Sequence, residues 1–135
     1  MGTALKVLHV EDDFADAMLL QHSLFDAGVD DLELEVVRTL HDARWKLERN
    51  PYDLVILDLR LPDSVNPQDT IRTAEQHAGA TPLLVLTGSA IIDGDVIGPH
   101  INLLDKNEFF HGKDPLRTQR LAGYVRAAVG GALLV

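Results

Sequence analysis

A chain of 135 residues is the size of one domain and long enough to bury a core, and 46% apolar with 24% charged residues describes a folded chain, not a disordered one. Twelve basic against 21 acidic side chains give a net charge of −9, which repels phosphate backbones and argues against nucleic acid as a partner. The absence of cysteine excludes disulfides, thiolate zinc sites and a cysteine nucleophile. No apolar run reaches the roughly 18–20 residues of a membrane helix. The N-terminus lacks the basic and apolar regions of a secretory signal, so the expected address is the cytoplasm, without membrane contact.

In chain order, residues 5–10 read as a strand. Phe14 to Ala27 reads as a helix, with Ala15, Met18, Leu19, His22 and Phe25 at steps of three and four and Gly28 as its stop. On this phase His22 is a packed side chain. Residues 32–37 are strand-like. Thr39 caps a helix to about Arg49, ended by Asn50-Pro51. Leu54-Val55-Ile56-Leu57 stands between Asp53 and Asp58, as a strand buried on both faces does, which favours a parallel sheet. Asn66-Pro67 opens a helix that ends near Gly79. Residues 83–87 form another buried strand and 101–105 a weaker fifth. Asp114-Pro115 opens a last helix through about Val129. Between Ser89 and His100 stand Gly94, Gly98 and Pro99, so the fourth helical link is predicted to be short, distorted or mobile. Strands alternating with helices predict a doubly wound α/β sheet of five strands in a single domain, residues 1–135.

In such sheets the ligand site lies outside the carboxyl ends of the strands. The first strand ends in Glu11-Asp12-Asp13, the third in Asp58, the fourth in Thr87 and the fifth near Lys106, whereas the second ends in Arg38-Thr39. Glu11, Asp12 and Asp58 sum to −3 and Lys106 returns +1, so −2 remains at one rim. One divalent cation cancels it. All-oxygen ligands suit a hard ion, Mg²⁺ or Mn²⁺. A carboxylate beside such an ion, an ammonium and a hydroxyl suits phosphoryl transfer, with Asp58 as nucleophile, Lys106 neutralising phosphoryl oxygens and Thr87 donating a hydrogen bond. Each residue alone has a structural reading as a turn cap or solvated charge. Convergence from four strand ends favours the chemical one.

The runs 7–13, 53–62, 83–88 and 104–106 together resemble, in order and spacing, the receiver domain of two-component response regulators, and the resemblance covers nearly the whole chain. It implies a flavodoxin-like sheet of order 2-1-3-4-5. It implies that Asp58 accepts a phosphoryl group from a sensor histidine kinase. It also implies that Glu11 and Asp12 are the acidic pair around the metal, that Arg60 supplies a backbone carbonyl to it, and that Thr87 and Lys106 contact the phosphoryl group. Asp13 falls one place beyond the pair and is read as beginning the helix.

The chain departs from the family pattern at Asn107, where the family has a proline in a cis peptide. A non-proline cis bond costs roughly 2.5–4 kcal/mol, so this loop is expected to be trans and reshaped. Leu103 stands where the family has a Tyr or Phe, Asn66-Pro67 replaces a glycine, and the stretch from Thr87 to Lys106 is about a turn shorter than usual. Phosphorylation is then expected to be read out through the Ser89–His100 segment or hardly at all. Arg117, Arg120 and Arg126 on the last helix read as a solvated basic face, with a docking face as the alternative. The apolar tail from Gly130 to Val135 reads as packing at an edge or on a second copy, which would make a homodimer through the last helix or the tail. The expectation is a stand-alone receiver without an output domain. Its chemistry is limited to its own phosphorylation and dephosphorylation, and it acts on a downstream protein or a phosphotransfer protein. A pseudo-receiver that binds without phosphorylation is the alternative. A small Mg²⁺-dependent phosphotransfer enzyme ranks third.

Overall fold

The computed structural model describes residues 4–88 and 101–133, the last three as backbone. Its elements are β1 (Leu5–Val10), α1 (Phe14–Asp26), β2 (Leu32–Val37), α2 (Leu40–Arg49), β3 (Leu54–Leu57), α3 (Pro67–Ala78), β4 (Leu83–Thr87), β5 (Asn102–Asp105), α4 (Lys106–His111) and α5 (Arg117–Leu133). The five strands form one sheet of order β2-β1-β3-β4-β5, and every adjacent pair is parallel. This is the architecture that the sequence and its resemblance imply. β3 sits at the centre with all four side chains buried. Leu54 and Ile56 join the core under α1, α4 and α5, and Val55 and Leu57 join the core under α2 and α3. The period of two places successive residues on opposite faces, so only an unbroken apolar run serves this position.

The helix starts follow local chemistry. Asp13 Oδ1 accepts from the amides of Ala15 and Asp16, Thr39 Oγ1 from Asp42, and Asn66 Oδ1 from Asp69. Gly28 takes φ 82° after α1, a conformation that favours glycine.

Three expectations are corrected. The buried face of α1 is Ala17, Leu20, Ser23 and Leu24, not the set phased on Met18 and His22. Met18 and Phe25 face solvent with Phe14, and His22 is exposed and pairs with Asp26 at 3.2 Å. The helix carries two apolar stripes, and spacing alone does not say which meets the sheet. Next, residues 106–111 are helical rather than loop: Asp105 caps them by accepting from the Asn107 amide, and no cis peptide occurs among the described residues. Finally, α5 begins at Arg117 instead of Asp114-Pro115 and continues as backbone to Leu133, past Val129. The side chains of the apolar tail and the Ser89–His100 link lie outside the described residues. Among the described residues no helix is long and apolar enough to cross a membrane.

The α1 phase is testable by urea unfolding. Leu20→Ala should cost about 2–5 kcal/mol, because a fully buried leucine leaves a cavity. Phe25→Ala, at 74% exposure, should cost less than about 1 kcal/mol. Equal losses would refute the phase.

Candidate functional site

The parallel sheet delivers its carboxyl ends to one edge. The ladders run one residue past the strands there: the Glu11 amide donates to Val37 O at 2.8 Å and the Asp58 amide to Val10 O at 3.0 Å. Glu11 and Asp58 are thereby fixed by backbone pairing at the rim. Thr87 is the last residue of β4, and its hydroxyl donates to Asp58 Oδ1 at 2.9 Å. Lys106 is the first residue of α4. Its ammonium lies 2.9 Å from Asp58 Oδ2, 2.5 Å from Glu11 Oε1 and 2.8 Å from Asp16 Oδ2. Glu11, Asp58, Thr87 and Lys106 are all buried, and Asp12 is half-buried beside them. Carboxylate oxygens of Glu11, Asp12 and Asp58 lie within 4.8 Å of one another. That is a donor set for one hard cation, and its acidic oxygens match the ligand preference of Mg²⁺.

The site opens into a cavity of about 380 Å³ lined by Asp12, Asp13, Asp16, Asp58, Arg60, Gly88, Lys106, Asn107 and His111. The Arg60 amide donates to Asp58 Oδ1 at 3.3 Å. Asp13 caps α1, as expected of the third acid in its run. All the residues singled out from the sequence thus converge on one rim. Asp16, Asn107 and His111 were missed. Asp16 is four residues before Leu20 and eight before Leu24, so the correct helix phase turns it inward. Asn107 and His111 follow from the short helix that begins at Lys106.

Burial drives the electrostatics. Desolvation, together with the neighbouring Asp58, pushes Glu11 up to about 8 against the pull of Lys106. Burial also pushes Asp58 up, but hydrogen bonds from Glu11, Lys106 and Thr87 outweigh it and hold the carboxyl below its usual range. The shared environment thus pushes the two carboxyl groups in opposite directions, Glu11 up and Asp58 down. For Lys106 burial pulls down, and its bonds to Asp16, Glu11 and Asp58 reverse that, so the ammonium stays charged. Elsewhere, two of the basic residues of α5 pair with acids, while Arg117 donates to the Asp114 backbone carbonyl. Arg120 meets Glu108 at 3.0 Å and Asp114 at 3.1 Å, and Arg126 meets Asp31 at 3.5 Å. Their side chains are 45% and 51% exposed, so the face is solvated, as the sequence leads one to expect, with its charge locally balanced.

No family model matches the chain. It is 33% identical over 135 residues to the cell cycle response regulator CtrA of Brucella ovis, an alignment covering 95% of this chain and 53% of that protein. The chain thus spans about half the length of this curated relative. Among solved structures, a CheY-like response regulator receiver domain protein from Methanospirillum hungatei superposes with a TM-score of 0.71 at 19% identity, covering 96% of this chain and 97% of that one. The receiver domain of sensor histidine kinase PA1611 from Pseudomonas aeruginosa, with a magnesium ion coordinated in its active site cleft, superposes with a TM-score of 0.68 at 21% identity, covering 95% and 99%.

Under the acids lies His9, 1% exposed, with no hydrogen-bond partner for either ring nitrogen among the described residues. Burial and the Lys106 charge lower its pKa from 6.5 to about 4, against a smaller opposing pull from Asp58. Below 6.5 the unfolded chain binds a proton there and the folded chain does not until about 4. Stability therefore falls as pH drops through that window and is fully kept above it. His9→Leu should remove about 2 kcal/mol of this loss, read as the difference in urea stability from wild type at about pH 7 and about pH 5. An unchanged pH slope would contradict the assignment.

Proposed function

We propose that this chain, a receiver domain of the response-regulator family, accepts a phosphoryl group on Asp58 from a phosphohistidine of a sensor kinase and signals by contact with other proteins. The observation that carries this reading is the pairing at Asp58. One carboxylate oxygen accepts from the Thr87 hydroxyl and the other from the Lys106 ammonium. A buried, ionised carboxylate facing a polar cavity is a competent nucleophile. An Asp58 oxygen attacks phosphorus, the phosphorus–nitrogen bond of the donor breaks, and its electron pair leaves on the imidazole, which takes up a proton. The product is an acyl phosphate on Asp58. Lys106 and Thr87 then donate to phosphoryl oxygens instead of to the free carboxylate.

Glu11, Asp12 and Asp58, with the Arg60 backbone carbonyl, would hold Mg²⁺ or Mn²⁺ here. Such an ion, when bound, neutralises charge on the transferring phosphoryl group. The clustering of three carboxylates supports this, as does the magnesium in the cleft of the PA1611 domain. The proposed partners are a histidine kinase on the input side and a downstream protein or phosphotransfer protein on the output side. Chemistry ends at the chain's own phosphoryl uptake and loss.

Incubation with acetyl phosphate and Mg²⁺ should add about 80 Da to the intact mass, the size of one phosphoryl group, and Asp58→Asn should abolish the adduct. Lys106→Ala should slow uptake on the order of 10²-fold, the scale of losing one charge-stabilising donor. No adduct on the wild type would overturn the reading in favour of a binding module. Turnover of a small phosphate ester without an adduct would overturn it in favour of a metabolic phosphotransferase.

A further inference from the structure

The first turn of an α-helix leaves backbone amides without intrahelical partners. In α2 the amides of Leu40, His41 and Asp42 are all satisfied, but from two sources. Thr39, the residue before the helix, accepts from the Asp42 amide through Oγ1 at 3.0 Å. The amides of Leu40 and His41 go to Asp63, one to Oδ1 and one to Oδ2, each at 3.0 Å. The second cap is thus a carboxylate brought from a distant part of the chain. The partial positive charge of a helix start favours it over a neutral group.

Asp63 belongs to the segment that leaves Asp58. Residues 58–63 are held at one end by the Asp58 amide, which donates to Val10 O at 3.0 Å, and at the other by the two bonds of Asp63. Between these ends Leu59 and Leu61 are buried in the core under α2 and α3. The Arg60 amide donates to Asp58 Oδ1 at 3.3 Å. The position of this segment therefore bears directly on the phosphoacceptor carboxylate. Burial of the two leucines holds the segment down, but apolar packing has no direction. The paired bonds from Asp63 to a helix end have one.

We propose that Asp63 is a positioning residue of the phosphorylation site: by bonding Leu40 and His41 it fastens residues 58–63 to the start of α2 and so sets the aim of the Asp58 carboxylate and of the Arg60 carbonyl. The inference rests on the functional reading above. Asp63 is not among the residues that line the cavity, and it acts through the backbone that joins it to Asp58. Thr39 caps the same helical turn, and its bond stays within α2. The two residues therefore separate the stability of the helix from the placement of the site.

The test compares wild type, Asp63→Ala, Asp63→Asn and Thr39→Ala. Binding of Mn²⁺ is read from the electron paramagnetic resonance signal of the free ion. Phosphoryl uptake from acetyl phosphate with Mg²⁺ is followed by intact mass, and urea unfolding records the stability of each variant. Asp63→Ala should weaken Mn²⁺ binding and slow phosphoryl uptake roughly three- to tenfold, the scale of one lost cap. Thr39→Ala should lose comparable stability yet leave both quantities within about twofold of wild type. Asp63→Asn keeps one acceptor oxygen and should fall between wild type and Asp63→Ala. It removes the same charge as the alanine, so the difference between them belongs to the bonds. Should Asp63→Ala fail to fold, Asp63→Asn against Thr39→Ala carries the comparison. Equal weakening in both Asp63 variants that disappears in about 0.5 M salt would assign the effect to distant charge and overturn the proposal. So would a Thr39→Ala variant that binds Mn²⁺ as weakly as the Asp63 variants. A wild type that neither binds Mn²⁺ nor takes up phosphoryl defeats the functional reading itself. A wild type that does both while the Asp63 variants behave identically to it defeats only this inference.

Discussion

One ammonium shared among three carboxylates organises this end of the molecule. Glu11 and Asp58 are fixed at the rim by β-ladder bonds of their own amides, so neither can retreat from the other. Two ionised carboxylates held side by side without water are costly, and the chain answers in two ways. Lys106 lies against both of them, and burial pushes Glu11 up to about 8 while the surrounding hydrogen bonds hold Asp58 below its usual range. The environment thus shifts chemically similar groups in opposite directions. It favours negative charge on the carboxylate that faces the Thr87 hydroxyl and the cavity. A cation entering among Glu11, Asp12 and Asp58 would complete the neutralisation that the lysine begins.

Much of this was legible in the sequence because the strands announce themselves. A run such as Leu54–Leu57, closed at both ends by aspartate, has few ways to fold other than as a strand buried on both faces. Parallel pairing of such strands puts the residues that follow them at one edge. Glu11, Asp58, Thr87 and Lys106 were found by that topology before any distance was known. The capping residues Thr39 and Asn66 were equally plain, since an oxygen-bearing side chain there has an orphan amide to satisfy.

What was not legible has a common cause. α1 offers Phe14, Met18 and Phe25 on one stripe and Ala17, Leu20 and Leu24 on another, and each fits a helical repeat. The stripe that meets the sheet is the one that packs with Val7, Leu54 and Leu121 in the core, which is a tertiary fact. Choosing the other stripe put His22 inside and Asp16 outside, and so hid the third partner of Lys106. Residues 106–111 misled for a related reason. A six-residue helix lacks the length for a periodic signal, and its stability comes from burying Phe109 and Phe110 rather than from propensity.

That short helix also determines where the site can yield. Phe109 is 2% exposed and meets Tyr124 of α5 edge to face, with ring centroids 6.0 Å apart and planes at 84°. At the far end of α4 the chain passes so close to the last turn that a Cβ on Gly112 would collide with the Glu108 carbonyl, so only glycine fits. The helix is pinned by aromatic packing in its middle and by close backbone approach at its end. Lys106, as its first residue, inherits that rigidity. Leu103, 38% exposed on the strand leading into it, offers no buried aromatic that could swing. Rearrangement of charge around the ammonium therefore meets a fixed wall on the α4 side and on the sheet. Among the described acids that meet the ammonium, Asp16 on the first turn of α1 is the one that reaches solvent, at 22% exposure against 0% and 5% for Glu11 and Asp58.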